Sequence, residues 1–514
     1  MVTEKRNREF WANVGYKWQT AIYLLVALAC TIPAWIVQYP PIEDLPYHLA
    51  TLRVIHSIND PQYGLDDFVL TLGRTQYFGY YFLGSGLAYL VGVARAHIIL
   101  VSLYLGGTVL SLRYLLRVFG KDERLALFCI PLLVNSLFML GLFPLLLGVP
   151  IMFVGLGLAI SYFGNRRPAY GIWLGVTAFA LFFVHILPFA IFGVGFAVLF
   201  PWRRPRQWLL AAAPVVPALV ALVWWVTCTE AGQVTAGMMS APPQRVSFER
   251  AVPQMYQWAT DNFRDNSDEK YFGAYLALIV LSFVLSLSLR DKRSTKPVVY
   301  LYALVPLACL LLYFTSGDGY RFIWPLGQRF VILFALTAVP LIMMPKGKGG
   351  YAITALIAIL SAGSIANTCL HFIAFEQNEV GPFQQALAQM APKKKVAALI
   401  YDSGSRIANW TPFLHFGSYY QAEKGGVVQF TFAGYPHWPF DFRPGRYPPP
   451  GGAARPRWEW TPQRVPVWGE LHPYYDYVLT RGEGFRAEGA YHQTWKGGPW
   501  GVWERSVDAK VFER

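Results

Sequence analysis

"PPIEDLPYHLATLRVIHSI" occupies residues 40–58, directly after the first long apolar stretch of the chain, and sets two carboxylates, Glu43 and Asp44, where a membrane would end. Asp44 is suited to cap a helix starting near Leu45, with Pro46 tolerated in its first turn. Leu45, Leu49, Leu52, Ile55 and Ile58 recur at spacings of three and four, which predicts an amphipathic helix lying in the membrane interface. His48 follows Asp44 by one turn, so the two side chains can meet on one face. The side of the membrane on which this stretch lies decides the fold, and the rest of the chain supplies that answer.

With 54% hydrophobic and only 14% charged residues among 514, the chain cannot fold throughout as water-soluble domains. Apolar runs long enough to cross a hydrocarbon core of about 30 Å fall at residues 20–38, 97–116, 125–142, 145–163, 170–185, 187–200, 208–228, 271–289, 298–315, 330–344 and 351–372. About eleven transmembrane helices are predicted. Residues 77–91 are apolar too, but short and interrupted by Gly79, Gly84 and Gly86. If they lie along the interface, the amino terminus is cytoplasmic, the loop 39–96 is outside, and the basic residues around Lys5, Arg117, Arg166, Arg204, Arg293 and Lys346 all fall inside. If they crossed, the basic loops from Arg113 to Lys348 would face outward, so the interfacial placement is adopted. Tyr77, Tyr80, Tyr81 and Tyr89 suit the headgroup layer.

The net charge of +14 has its source in these cytoplasmic helix ends, and no nucleic-acid-binding domain is implied. The first apolar run follows Lys17, is too long for a signal-peptide core and reads as a retained anchor. Five cysteines, four inside spans and one at a span end, support neither a disulfide framework nor a zinc site.

Residues 1–372 thus form a membrane module and residues 373–514 an external region of different composition. "GPFQQALAQMAPKKK" (381–395) reads as a helix, and "VAALIYD" (396–402), "YDYVLTR" (475–481) and "WGVWER" (500–505) read as strands of a small α/β domain. "FRPGRYPPPGGAARPRWEWTPQ" (442–463) must be an irregular excursion. Lys393–Lys395 then lies outside, against the charge rule, the one misfit of this topology. Eight of the 18 tryptophans lie in this region, where they could stack on sugar rings, pack a core or anchor at a membrane surface. In the outside loop 229–270 a short helix carries Tyr256 and Trp258, candidates to touch an acceptor; a solvated connecting helix reads equally well.

The order of these parts resembles the GT-C superfamily of membrane glycosyltransferases. The resemblance rests on "EDLPYHLA" (43–50) in the first outside loop, on a descending span ending in "RYLLRVFGKDERLAL" (113–127), and on "FPLLLGVPIMFVGLGLAISYF" (143–163), "FFVHILPFAIF" (182–192) and "GDGYRFIWPLGQRF" (317–330). "PFLHFGSYYQAEKGGVV" (412–428) and "YDYVLTRG" (475–482) resemble bacterial members of that group. It implies transfer of a sugar from a polyprenyl-phosphate donor to a glycan, lipid or protein acceptor at the outer face of a bacterial inner membrane, with inversion. It also implies a first-loop acid as general base, Asp44 first and Glu43 second, because an acceptor hydroxyl attacks only as a carboxylate removes its proton. The departing phosphate keeps its charge and calls for cationic or hydrogen-bonding groups, for which Arg321, Arg329, His185, Arg74 and His48 are candidates.

Each candidate has a plainer reading: Asp44 a helix cap, His185 a packing residue at a span end, the arginines headgroup ligands. No cofactor is called for, although the two acids with His48 could hold a divalent metal. A transporter or flippase for a lipid-linked molecule is the rival reading, weakened by the lack of repeats and of mid-span charges. A membrane-anchored, non-catalytic binding module would leave all but one span unexplained.

Overall fold

The computed structural model describes residues 18–240, 247–288, 297–320, 323–449 and 458–506. Among them six helices are long and apolar enough to cross a membrane, at Val93–Phe119, Phe143–Asn165, Pro205–Cys228, Ser267–Leu287, Pro297–Ser316 and Gly347–Val380. Shorter apolar helices occupy Trp18–Ala34, Pro168–Val184, Ile186–Leu199 and Arg329–Leu341. We label the elements used below α1 (Trp18–Ala34), α2 (Leu45–Ser57), α3 (Gly79–Val91), α4 (Val93–Phe119), α5 (Ser136–Leu140), α6 (Phe143–Asn165), α7 (Pro168–Val184), α8 (Ile186–Leu199), α9 (Val216–Cys228), α10 (Glu230–Met239), α11 (Phe248–Thr260), α12 (Ser267–Ser288), α13 (Leu304–Ser316), α14 (Arg329–Ala338), α15 (Gly347–Phe375), α16 (Phe383–Gln389) and α17 (Ser418–Lys424). Helices α4 and α6 form the centre of the bundle, with α7 and α8 packed against α6. Gly106 lets α4 lie against the backbone of α1, where a Cβ would stand 2.8 Å from the Ala27 carbonyl.

Residues 125–142 do not form the continuous span expected of them. A 3₁₀ helix runs from Glu123 to Leu132, and the path then breaks before the short α5. Pro131 lacks the N–H needed to carry an α-helix on, and the Asn135 side chain restarts one by accepting from Leu137 N (3.0 Å) and Phe138 N (3.2 Å). A 3₁₀ turn rises about 2 Å per residue, so this broken path reaches further than its length suggests.

The two framing helices of the first loop also differ from expectation. Helix α2 is buried on nearly every side, Leu52 and Val54 completely, because the C-terminal region closes over the face that was expected to meet lipid or water. Helix α3 does keep an exposed apolar side at Phe82, Leu83, Tyr89 and Leu90, but Tyr80 and Tyr81 point inward and are fully buried.

The C-terminal region carries a five-stranded sheet in the order β3-β2-β5-β7-β6, built from β2 (Lys395–Ile400), β3 (Val427–Val428), β5 (Tyr477–Arg481), β6 (Tyr491–Gly497) and β7 (Trp500–Arg505). Strands β2, β3 and β5 are parallel, and β7 runs antiparallel to β5 and β6. Strand β2 is buried on both faces: Val396, Ala398 and Ile400 enter the main core, while Ala397 and Leu399 pack with Trp458, Leu471 and Tyr475. The short β1 (Phe68–Leu70) of the first loop pairs antiparallel with β4 (Phe440–Phe442), so loop and C-terminal region are laced together. Glu376, just past α15, adds a second tie by accepting from Gln38 N (2.6 Å) and Tyr39 N (2.9 Å) at the start of the loop.

Candidate active site

Where the helices meet the C-terminal region lies a cavity of about 1200 Å³. Single small-ligand pockets are commonly about 300–1,000 Å³, so this one has room for two reactants. Glu43, Asp44, His48, His185 and Arg329 all line it, although they come from distant parts of the chain.

The two acids are held by their backbone. Glu43 N donates to the Met139 carbonyl (2.9 Å) and Asp44 N to the Leu140 carbonyl (3.1 Å), so the free carbonyls at the end of α5 fix the acidic dipeptide. Gly141 ends α5 with φ +90°, and a Cβ there would lie 3.0 Å from that of Asp44. Asp44 occupies the N-cap position of α2, yet its side chain makes no capping hydrogen bond; the carboxylate faces the cavity instead. Burial, and then the adjacent Glu43, push the Asp44 carboxyl well above the usual carboxylate range, with Arg329 opposing. Glu43 is raised by burial as well, offset by Thr411, whose N–H (3.1 Å) and hydroxyl (2.6 Å) both donate to Oε2.

His48 does not meet Asp44. Its Nε2 is 2.6 Å from the Gly141 carbonyl and its Nδ1 2.9 Å from the Tyr81 hydroxyl, an arrangement that assigns the proton to Nε2. Burial lowers its pKa to about 4, so it is neutral at pH 7 and ties α2, α3 and the Gly141 turn together. The partner that Asp44 does find is His415 of the C-terminal region, with Nε2 3.4 Å from Oδ1. Among the described residues no three His, Cys, Asp or Glu side chains converge as a metal site would require.

Across the cavity Arg329 opens α14 and donates from Nε to the Pro325 carbonyl (2.5 Å); among the described residues no carboxylate lies within ion-pair distance of it. His185 stands at the junction of α7 and α8, where Nδ1 accepts from Leu187 N (3.0 Å) and the neutral ring therefore carries its proton on Nε2. His437, which no sequence signal marked, also lines the cavity and is neutral, its pKa lowered to about 3 by burial and by Arg329 and Arg74. Arg74 itself is outside the lining, ion-paired with Glu230 (2.8 Å) and Asp441 (2.5 Å). Arg321 lies outside the described residues. Tyr256 faces away, its hydroxyl donating to the Glu269 carbonyl (2.9 Å). Trp258 sits one layer behind the wall, against Trp324 and Trp410, which do line it.

The remaining wall divides in two. Leu187, Ala190, Leu312 and Met238 make an apolar side among α8, α10 and α13, and Phe430, Phe432, Tyr435, Trp438 and Trp460 make an aromatic roof from the C-terminal region. Thr411 and His415 were missed because only folding brings them to the first-loop acids across some 370 residues, and His437 because it joins the same cavity only on folding.

No protein-family model matches the chain, and no curated protein matches it in sequence. Among solved structures it is similar to ArnT from Cupriavidus metallidurans bound to undecaprenyl phosphate, with a TM-score of 0.54 over 95% of this chain and 98% of that one, at 11% identity. The chain therefore shares the fold of that structure over nearly its whole length.

Proposed function

We propose that the chain is a membrane glycosyltransferase that moves a sugar from a polyprenyl-phosphate donor to a hydroxyl of a glycan, lipid or protein acceptor at the outer face of the bilayer. The observation that carries this reading is one cavity holding two adjacent acids and, across it, an arginine with no carboxylate partner among the described residues. Undecaprenyl phosphate in the similar structure agrees with a lipid phosphate as donor carrier. The apolar wall among α8, α10 and α13 suits the lipid chain, and Arg329 with the Nε2–H of His185 suits the phosphate.

Asp44 is the base. The acceptor oxygen attacks the anomeric carbon, its proton passes to the Asp44 carboxylate, and the sugar–phosphate bond breaks with the electron pair leaving on phosphate, where Arg329 receives the charge. Glu43 is engaged by Thr411 and acts as an anchor, raising the basicity of its neighbour by like charge.

Membranes supplied in turn with several radiolabelled polyprenyl-phosphate sugars test this. Label should pass to an acceptor with wild-type protein and fall by about 10²-fold or more with Asp44→Asn at matched expression. Transfer that survives Asp44→Asn and Glu43→Gln alike would place the base elsewhere, and no transfer from any donor would sink the reading.

A further inference from the structure

The stretch "TPFLH" (411–415) belongs to a motif with no role so far, and it meets both first-loop acids at once: Thr411 holds Glu43, and His415 stands beside Asp44. Its geometry is fixed by its own packing. Leu414 N donates to the Thr411 carbonyl (3.0 Å), closing a turn, and Phe413 drops into the core against Phe375. The turn therefore presents residues 411 and 415 toward the acids. The His415 ring stacks on Tyr47, near-parallel at 4.0 Å, with Phe430 beside Tyr47 and 6.0 Å from the His415 ring, so aromatic packing sets its plane while Nε2 lies toward Asp44. A contact of 3.4 Å is longer than a formed hydrogen bond, as is common before substrate binds.

We infer that His415 is a positioning residue for the first-loop base: its Nε2–H holds one oxygen of Asp44, leaving the other for the acceptor hydroxyl. The inference rests on the transferase reading in taking Asp44 as the base. No group is consumed; the acceptor proton ends on Asp44 and His415 keeps its own. The C-terminal region thus completes the base site. Among the described residues, the charged and titratable groups around the pair include Glu43, Tyr47, Tyr77, Tyr81 and Arg329.

The test reads Asp44 directly. Dicyclohexylcarbodiimide attacks protonated carboxyls in apolar sites, so labelling of the Asp44 peptide against pH, followed by mass spectrometry, reports the midpoint of its ionisation. His415→Phe keeps a flat ring against Tyr47 and Phe430 but has no N–H. Its midpoint should move up by about one pH unit, and His415→Gln, which retains a donor, should move it back. Where transfer is measured, kcat should fall about tenfold or more with KM for the donor little changed and the acid limb displaced upward. Should His415→Phe fail to accumulate, His415→Met serves as the variant without a donor. An unmoved midpoint, or lost transfer with the acid limb in place, overturns the inference. A moved midpoint in a protein that transfers no sugar fails the transferase reading and leaves the contact standing.

Discussion

At the scale of single residues, the chemistry depends on how burial and charge divide the work between neighbours. Asp44 must be ionised to act as base, yet burial and Glu43 favour its protonated form. Its pKa is raised above the ordinary value of 3.8, so kcat/KM should climb with pH through that raised pKa and then level off. A pH profile of label transfer with its acid limb near pH 4 or below would contradict this assignment. Arg329 offers a second check. A hydrogen bond to a charged group contributes about 1.5–3 kcal/mol, so Arg329→Gln should weaken undecaprenyl-phosphate binding about 10- to 100-fold, measurable by displacement of a fluorescent lipid phosphate. Glu43, Asp44, His48, His185 and Arg329 could all be named from sequence because each is a polar group beside an apolar run. Their partners could not, since His48 turns to Gly141 and Tyr81 while Asp44 faces His415.

At the scale of elements, the short α5 matters more than its five residues suggest. It lies within what reads in sequence as one more span, because apolar composition there hides the break made by Pro131 and Asn135. Its last carbonyls hold the acidic dipeptide and Gly141 lets the chain turn against it. A side chain at φ +90° is strained, at a cost of about 1–3 kcal/mol, and at Gly141 it would also press on Asp44. Gly141→Ala should therefore lower transfer by an order of magnitude or more at equal membrane levels; full activity would show that the dipeptide is not positioned by this turn. Strands β2, β5 and β7 were legible from their apolar runs, whereas β6, "YHQTWKG", is largely polar and at the sheet edge, and β3 is only two residues long. Helix α2 was placed correctly by its spacing but expected to keep one face open, since periodicity reports which residues are apolar and not what covers the other face.

At the scale of the whole molecule, the site exists only because the C-terminal region is fastened onto the first loop. Strand pairing of β1 with β4 makes one link, and Arg74 makes another by joining the loop to Glu230 on α10 and Asp441 on β4. Arg74→Gln leaves a largely buried Asp441 without its cation, so it should lower thermal stability in detergent by about 2 kcal/mol and reduce transfer even though Arg74 touches no substrate. Unchanged melting would show that this clasp contributes nothing. The chain by itself determined the membrane character, most of the helical segments, the acids at the end of the first run and the strands of a small C-terminal sheet, since these follow from hydropathy and short-range periodicity, which are local properties. Only the tertiary structure decided that α2 is enclosed, that residues 125–142 are broken, and that Thr411, His415 and His437 share a cavity with Asp44 and Arg329. Those outcomes depend on contacts between segments hundreds of residues apart, set by how apolar faces and unpaired backbone groups find one another in three dimensions.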